Sequence, residues 1–335
     1  MTGRERGPGI LVVGEALVDI VRRADGVVTE TPGGSPANVA LTLGRLGRAP
    51  HLLSAIGVDR RGEEVRRWLG ESGVAVGGTI LDRTSTAVAA LDRHGAATYE
   101  FAVDWHLSAE DAPSEAEVLH VGSIAAVRDP GATAVSEIVD RHRGRSLIAV
   151  DPNVRTSLID DPETARSRIR SLLARADVIK ASDEDIAWLH PGEDLRTAAR
   201  GMLHAGAILV VITRGEAGVI ALRGDDELRV PARPVAVVDT VGAGDTFMGA
   251  LLDGLLEHGV SGAASRARLH ALDRSVLVEI LARSARAAAI TVSRPGADPP
   301  TRGDLDAERV ARAARDQTDA ARRASQPVRT ISSTE

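Results

Sequence analysis

The 335-residue chain contains no cysteine, which excludes disulfide bridges, thiol nucleophiles and cysteine-ligated zinc. Lysine occurs only once, as Lys180, and no phosphate-binding loop of the Gly-x-x-x-x-Gly-Lys-Ser/Thr type is therefore present. Any nucleotide that this chain binds must be held by other groups.

Aromatic side chains and positive charge are also scarce. Phe, Trp and Tyr make up 2% of the residues, and the formal net charge is −6. Nucleic acids require a basic surface, and single strands also require aromatic platforms for stacking. No apolar run approaches the length of a membrane span, and the polar residues 1–9 lack the apolar core of a signal peptide. We therefore expect a cytoplasmic protein with neither nucleic acid nor membrane among its partners.

The chain does contain an alternation of strand and helix patterns. A Val/Leu/Ile-rich run over 10–20, interrupted at Gly14, predicts a first buried strand. Ser35 as N-cap, followed by Pro36, predicts a helix that ends at about residue 46. Such alternation predicts an α/β fold with a mostly parallel sheet and helices on both faces. Further strands are predicted at residues 51–56, 118–121, 147–151, 178–179 and 207–213, and further helices at residues 62–69, 132–141 and 163–173.

Residues 79–103 break this alternation. Two short runs, 86–91 and 97–103, flank Asp92-Arg93-His94-Gly95, which is typical of a hairpin. Together with residues 21–31 this hairpin forms either a small flap over a ligand or an ordinary sheet edge.

The last part of the chain differs in composition from the rest. From about residue 304 it is rich in Ala, Arg and Asp. We predict a main domain over 1–303, then a loosely attached helix and a disordered tail over 304–335.

The segment Asp239-Thr240-Val241-Gly242-Ala243-Gly244-Asp245 combines two chemical devices. Gly242, Ala243 and Gly244 leave their backbone N–H groups bare at a predicted helix start, which favours anion binding. Asp245 places a carboxylate in the first turn of that helix. Phosphoryl transfer to a hydroxyl requires a phosphate cradle and a base of this kind.

A second glycine-rich junction, Gly33-Gly34-Ser35-Pro36-Ala37-Asn38, precedes the helix that begins near Ser35. Its glycines allow the backbone to approach a polyhydroxylated ligand, and Asn38 offers both a donor and an acceptor. The alternative is a helix entry with a solvated Asn38. Asp19, near the end of the first predicted strand, binds either sugar hydroxyls or a loop N–H.

Three further polar turns follow predicted strands. In Asp151-Pro152-Asn153-Val154-Arg155 the arginine binds a ligand oxygen or pairs with Asp160 or Asp161. In Ser182-Asp183-Glu184-Asp185 the acids complement a helix dipole or hold a hydrated Mg²⁺. Thr213-Arg214-Gly215-Glu216-Ala217-Gly218 passes under phosphates or is a plain hairpin. Because all these turns follow parallel strands, we expect them to share one edge of the sheet.

These motifs resemble the ribokinase/PfkB carbohydrate kinases, and the bacterial fructokinase branch is the most similar. The resemblance covers about residues 10–300. It implies a three-layer α/β/α domain and a β-sheet lid, here parts of 15–31 and 79–103, that often takes part in dimer contacts. The matching runs are Gly14–Asp19, Gly33–Asn38, Asp151–Arg155, Lys180–Asp185 and Asp239–Thr246.

The resemblance also implies roles for individual residues. Asp245 is the catalytic base that takes the proton of the sugar's primary hydroxyl. Gly242, Ala243 and Gly244 form the anion hole for the γ-phosphoryl group. The sugar-contacting positions are Asp19, Gly33, Gly34, Asn38, Asn153 and Arg155. The nucleotide-side positions are Lys180, Ser182, Thr213, Gly215 and Gly218.

The metal-binding pattern departs from that of the family. Its Asn-x-x-Glu appears here as Ser182-x-x-Asp185, shorter by a methylene and lacking the amide. We expect Asp185 to reach Mg²⁺ through water. The resemblance further suggests a potassium ion near the anion hole, beside Asp239 and the segment from Thr291 to Gly296.

We therefore predict an ATP-dependent kinase that converts D-fructose to fructose 6-phosphate, uses Mg²⁺ and forms a homodimer through the lid. Ribose and 2-keto-3-deoxygluconate stay open as substrates, the latter because Arg155 offers its carboxylate a cation. A dinucleotide oxidoreductase is a rival, although Gly242-Ala243-Gly244 comes late in the chain and lacks the third glycine of that fingerprint. A silent sugar sensor is another, although such a protein has no need of Asp245.

Overall fold

The computed structural model describes residues 9–91 and 97–307. Most of its strands form one large sheet in the order β13-β12-β11-β10-β9-β8-β1-β4-β5. The strands from β11 to β5 in this order pair in parallel, and β12 and β13 are antiparallel additions at one edge. The strands of this sheet are β1 Ile10–Val13, β4 His51–Gly57, β5 Ala75–Leu81, β8 Val118–Gly122, β9 Leu147–Asp151, β10 Val178–Ser182, β11 Leu209–Thr213, β12 Val219–Arg223 and β13 Asp226–Val230.

Helices cover both faces of this sheet. Alternate residues of β1 enter two separate cores, with Ile10 in one and Leu11 in the other. The first core also contains residues of α1, α7 and α9, and the second contains residues of α3, α4 and α6. The predicted three-layer α/β/α arrangement is therefore confirmed. The helices are α1 Ser35–Arg45, α2 Arg60–Gly70, α3 Gly131–His142, α4 Pro162–Leu173, α5 Asp183–Leu189, α6 Leu195–His204, α7 Ala243–Glu257, α8 Ser265–Ala271 and α9 Arg274–Val292.

A smaller sheet of four strands stands beside the large one, in the order β3-β2-β6-β7. Its strands are β2 Leu17–Arg22, β3 Val28–Gly33, β6 Thr86–Leu91 and β7 Ala97–Ala102. β6 and β7 pair antiparallel, as the hairpin pattern predicts, and the turn at 92–96 lies outside the described residues. Residues 79–81, which we placed with the lid, belong to β5 of the large sheet.

The prediction of a single strand over 10–20 is wrong. The chain leaves the large sheet at Gly14, whose N–H donates to Leu53 O at 3.1 Å, and a side chain at Gly14 would collide with Pro36. It then enters the small sheet, where Val18 N–H donates to Ser85 O at 3.0 Å. Asp19 therefore lies on the small sheet and not at the end of a central strand.

Two further predictions concern the N-cap of α1 and the C-terminal tail. Gly34, with φ of 103°, is the N-cap of α1, so the prediction of Ser35 as N-cap is wrong. Most of the predicted tail, residues 308–335, lies outside the described residues. None of the helices in the described ranges is long and apolar enough to cross a membrane.

Candidate active site

A cavity of about 1500 Å³ lies at the carboxyl edge of the large sheet, between that edge and the small sheet. The small sheet contributes side chains that include Asp19, Ala87 and Phe101, so it covers the cavity as a flap. Of the sequence-predicted site residues, Gly33 and Thr291 do not line the cavity. Those that do are Asp19, Gly34, Asn38, Asn153, Arg155, Lys180, Ser182, Asp185, Thr213, Gly215, Gly218, Asp239, Gly242, Ala243, Gly244, Asp245 and Gly296.

The N-terminus of α7 opens into this cavity. Gly242 is its N-cap with φ of 75°, and a Cβ there would lie 2.6 Å from the Cβ of Ala297. Ala243 N–H donates weakly to Thr240 O at 3.4 Å. Within 9–91 and 97–307, the N–H groups of Gly244 and Asp245 donate to no acceptor. They are therefore free to bind an anion at the positive end of the helix dipole.

The Asp245 carboxylate is held by two residues of α1. Ser35 Oγ donates to Oδ1 at 2.7 Å, and Asn38 Nδ2 donates to Oδ2 at 2.8 Å. The carboxylate is buried, and both donors are neutral. This arrangement fixes its orientation while leaving lone pairs on each oxygen to accept a proton. Ser35 was predicted only as a cap; its contact joins residues 210 positions apart, and no local pattern indicates it.

Lys180 and Asp151 form a buried ion pair beneath α7. Lys180 Nζ lies 2.8 Å from Asp151 Oδ2, and these residues are neighbours on β10 and β9. Burial alone would lower the pKa of Lys180, but the charges of Asp151, Asp185 and Asp245 raise it. Burial raises the pKa of Asp151 to about 6, against the opposing charge of Lys180. The ammonium is therefore a permanent positive charge at the base of the cavity.

The residues predicted to contact the sugar include two charged groups, Asp19 and Arg155, which interact electrostatically with each other. Burial raises the pKa of Asp19 to about 6; the charge of Arg155 opposes this rise, and Asp245 adds to it. A side chain at Gly33 would collide with the Asp19 carboxylate, which explains the glycine although it does not line the cavity. Gly34 has φ of 103°, and a Cβ there would lie 2.6 Å from the backbone oxygen of Glu15.

Glu15 is a buried carboxylate that the sequence analysis did not select. It lies where the chain passes from the large sheet to the small one, and its Oε2 accepts the Ala125 N–H at 3.2 Å. Burial raises its pKa to about 7, against a hydrogen bond from Ser123 and the charge of Arg155. In the sequence, this buried position is indicated only by an acidic residue that stands between two apolar runs.

Arg155 is exposed, and its positive charge acts on Glu15 and Asp19. Neither Asp160 nor Asp161 pairs with it, and no carboxylate in the described part of the chain lies within ion-pair distance. The ion pair with Asp160 or Asp161 is therefore not formed, and contact of Arg155 with a ligand stays a prediction.

The turn predicted to contact the nucleotide is a hairpin, one of the two alternatives that the sequence left open. Thr213 ends β11, and residues 215–217 form a short turn into the antiparallel β12. Gly215 and Gly218 have positive φ values of 48° and 79°. The same turn lines the cavity, opposite apolar residues of α9 such as Ala288. It is therefore a hairpin that also lines the cavity, and its contact with a nucleotide stays a prediction.

The carboxylates predicted for Mg²⁺ and for potassium each accept backbone N–H groups on both oxygens. Asp185 accepts N–H groups on both oxygens, from Val154 and from Ser182, each at 2.8 Å. Asp239 likewise accepts from Val241 at 3.0 Å and from Gly296 at 2.9 Å. In the described ranges, no three acidic or histidine side chains form a group that could hold a metal ion.

Thr291, near the end of α9, is buried where this helix packs against α7. Its Oγ1 donates to Ala287 O at 3.2 Å and lies 2.9 Å from Thr246 Oγ1. The Thr291 hydroxyl is thus engaged within the helix layer and does not reach the cavity.

The chain is similar to known proteins in both sequence and structure. The sequence profile of the pfkB family carbohydrate kinases matches residues 8–302. The chain belongs to this family. The predicted resemblance is therefore confirmed, and with it the class of enzyme, a carbohydrate kinase.

Two fructokinases show the degree of similarity in sequence and in structure. A fructokinase of Klebsiella pneumoniae is 39% identical over 263 residues, which cover 75% of this chain and 85% of that protein. The crystal structure of a fructokinase from Xylella fastidiosa with bound ATP has a TM-score of 0.81 and 26% identity, covering 89% and 97% of the two chains.

A fructokinase double mutant from Vibrio cholerae O395 shares the fold. It has a TM-score of 0.77 and 24% identity, and the match covers 91% of this chain and 99% of that one. It was solved with fructose, ADP and a potassium ion.

Proposed function

We propose that this pfkB-family kinase transfers the γ-phosphoryl group of ATP to the primary hydroxyl of D-fructose. The observation that carries the proposal is the position of Asp245. Its carboxylate is oriented by Ser35 and Asn38 at the N-terminus of α7, between the sugar-side and nucleotide-side walls of one cavity. The fructokinase relatives support fructose as the sugar.

In the proposed reaction Asp245 accepts the proton of the sugar hydroxyl as its oxygen attacks the γ-phosphorus. The new P–O bond forms while the bond to the ADP oxygen breaks, and ADP leaves with that electron pair. The free N–H groups of Gly244 and Asp245 would face the charge that spreads over the transferring group. The predicted contributions of Gly242 and Ala243 would require Ala243 N–H to give up its weak bond to Thr240 O. Lys180 adds a fixed positive charge next to Gly244, whose Cβ, if present, would lie 2.9 Å from Nζ. This supplies the lysine charge that a Gly-Lys-Ser/Thr loop would otherwise provide.

The sugar is proposed to bind on the α1 side of the cavity. Asn38 Oδ1 is buried without a hydrogen-bond partner among the described residues, so it can accept a sugar hydroxyl. Asp19 offers a second acceptor, and the glycines at 33 and 34 let the backbone pass close to Asp19 and to the Glu15 backbone. Asn153 and Arg155 would close the opposite side.

The nucleotide is proposed to lie along Ser182, Thr213, Gly215 and Gly218, with its phosphates towards Lys180. In the described ranges no cluster of acidic side chains supplies a direct Mg²⁺ site, and both Asp185 oxygens are oriented towards backbone N–H groups. We therefore propose that Mg²⁺ is held by the nucleotide phosphates and water. Potassium is proposed beside Asp239 and Gly296, where it would support the two loops that Asp239 joins.

A substrate panel tests the proposed function. Purified protein with Mg-ATP would be given fructose, ribose, 2-keto-3-deoxygluconate, glucose and nucleosides, and ADP release would be measured with and without K⁺. We expect the highest kcat/KM with fructose. Another sugar as the best substrate would contradict the proposed specificity, and turnover of none of them would contradict the proposed reaction.

A further inference from the structure

The carboxylate of Asp185 joins two separate segments of backbone. Oδ2 accepts the N–H of Ser182 at the start of α5, and Oδ1 accepts the N–H of Val154 in the loop after β9, both at 2.8 Å. Ser182 Oγ in turn accepts the N–H of Asp185 at 2.9 Å. Because Asp185 is buried, loss of either contact would leave a backbone donor without a partner.

The loop that Asp185 holds belongs to the sugar side of the cavity. Asn153, next to Val154, has φ of 35°, a value that costs energy for a residue other than glycine. Such a conformation persists only when contacts around it hold it in place. Arg155 follows in the same loop, and its charge reaches both Glu15 and Asp19.

We propose that Asp185 is a positioning residue for sugar binding and not a ligand of Mg²⁺. Its carboxylate fixes the loop 152–155 to the start of α5 and so holds Asn153 and Arg155 towards the sugar. Since Ser182 lines the nucleotide side, the same carboxylate ties the two halves of the cavity together. The test below rests on the proposed function in taking fructose as the sugar.

The chemistry of Mg²⁺ supports this assignment. Mg²⁺ demands near-ideal octahedral geometry and is usually held by one or two carboxylates together with substrate phosphates. The two oxygens of Asp185 are instead directed at N–H donors from two different segments. One oxygen folds back to the N–H of Ser182, three residues earlier, while the other reaches the loop after β9.

The first experiment measures fructose binding by calorimetry without nucleotide or metal. In Asp185→Asn one oxygen becomes an NH₂ group that faces a backbone N–H, so the contact to Ser182 or to Val154 is lost. We expect the Kd for fructose to rise about tenfold or more. Asp183→Asn is the matched control, because it removes the same charge from the same helical turn. Among the described residues, the Asp183 carboxylate accepts a hydrogen bond from the neighbouring Glu184 N–H alone, at 3.2 Å. We expect that control to bind fructose as the wild type does.

The variant Asp185→Glu distinguishes a positioning residue from a Mg²⁺ ligand. It keeps the charge but adds a methylene, so it cannot reach both N–H groups without moving the loop, and we expect weakened metal-free fructose binding here too. A Mg²⁺ ligand predicts the opposite pattern, with metal-free binding unchanged in both variants. The Mg²⁺ concentration for half-maximal rate would then rise in Asp185→Asn and stay near the wild-type value in Asp185→Glu. That pattern would overturn the proposal.

Failure of this inference differs from failure of the proposed function. Wild-type protein that binds another sugar of the panel but not fructose contradicts the proposed substrate, and the same variants are then compared with that sugar. Variants that bind the wild-type ligand as tightly as the wild type contradict the role of Asp185 alone. Circular dichroism establishes that each variant is folded, and Asp185→Glu decides the question if Asp185→Asn does not fold.

Discussion

The ammonium of Lys180 lies against the α-carbon of Gly244, so that a Cβ added at Gly244 would be 2.9 Å from Nζ. Lys180 cannot easily retreat, because Asp151 holds it from the other side at 2.8 Å. The missing side chain of Gly244 therefore leaves space for the Lys180 ammonium, in addition to the backbone N–H that Gly244 offers. It lets a buried positive charge approach the place where the phosphoryl group is proposed to pass.

Gly244→Ala tests this relationship. The new methyl must displace either Lys180 or the first turn of α7, so we expect kcat with fructose to fall by about tenfold to a hundredfold, together with a stability loss of about 1–3 kcal/mol from overpacking. Steady-state kinetics and urea unfolding measure the two effects. Gly201→Ala in α6 is the control, because a Cβ there meets nothing within 4 Å; it should leave kcat unchanged and stabilise slightly.

The Lys180–Asp151 pair allows its structural and catalytic roles to be separated. Removing one partner leaves the other charge buried, so Lys180→Met alone and Asp151→Asn alone should each cost about 3–5 kcal/mol of unfolding free energy. The double variant should recover much of that loss, since no buried charge is left unpaired. Its kcat should stay low, because the positive charge beside Gly244 is gone. Recovery of both stability and kcat in the double variant would show that the charge has no part in phosphoryl transfer.

Asp245→Asn tests the proposed base. The amide cannot accept the proton, and its NH₂ group must face either Ser35 Oγ or Asn38 Nδ2, both of which donate to the carboxylate. We expect kcat to fall by roughly 10³-fold. Asp160→Asn, at an exposed acid, serves as the control for charge removal and should turn over normally. Unchanged turnover in Asp245→Asn would remove Asp245 from the mechanism.

The class of fold could be predicted from the sequence because strands buried on both faces have near-continuous runs of Val, Leu and Ile. Leu147–Val150 and Leu209–Ile212 are such runs, and both lie fully buried in the parallel sheet. The edge on which the polar turns meet follows from the same parallel order. The lid dimer and the tail stay predictions.

Which sheet a strand joins is not encoded in its own pattern. Residues 10–20 appear as one apolar run, yet the run divides at Gly14 because the ring of Pro36 packs there. Contacts between residues far apart in the sequence could not be predicted, for the same reason. The bond from Ser35 to Asp245 and the pairing of Lys180 with Asp151 depend on strand and helix neighbours that only the folded chain brings together.

Glu15 predicts an unusual dependence of stability on pH. Its pKa rises from 4.5 to about 7 on burial, so the folded state binds its proton more tightly than the unfolded state does. The contribution of Glu15 to stability is therefore fully present below its unfolded pKa of about 4.5 and is lost as the pH rises through about 7. The same sign holds for Asp19, whose pKa rises from 3.8 to about 6.

Glu15→Gln removes this titration while keeping a polar side chain of similar shape. We expect the variant to gain stability relative to the wild type on going from about pH 5 to about pH 8, by a difference on the order of 3 kcal/mol. Urea unfolding at the two pH values measures it, and Glu110→Gln, at an exposed glutamate, provides the matched control with no such change. A stability difference between Glu15→Gln and the wild type that is the same at both pH values would mean that Glu15 does not titrate in this range, and its carboxylate would then be ionised throughout despite its burial.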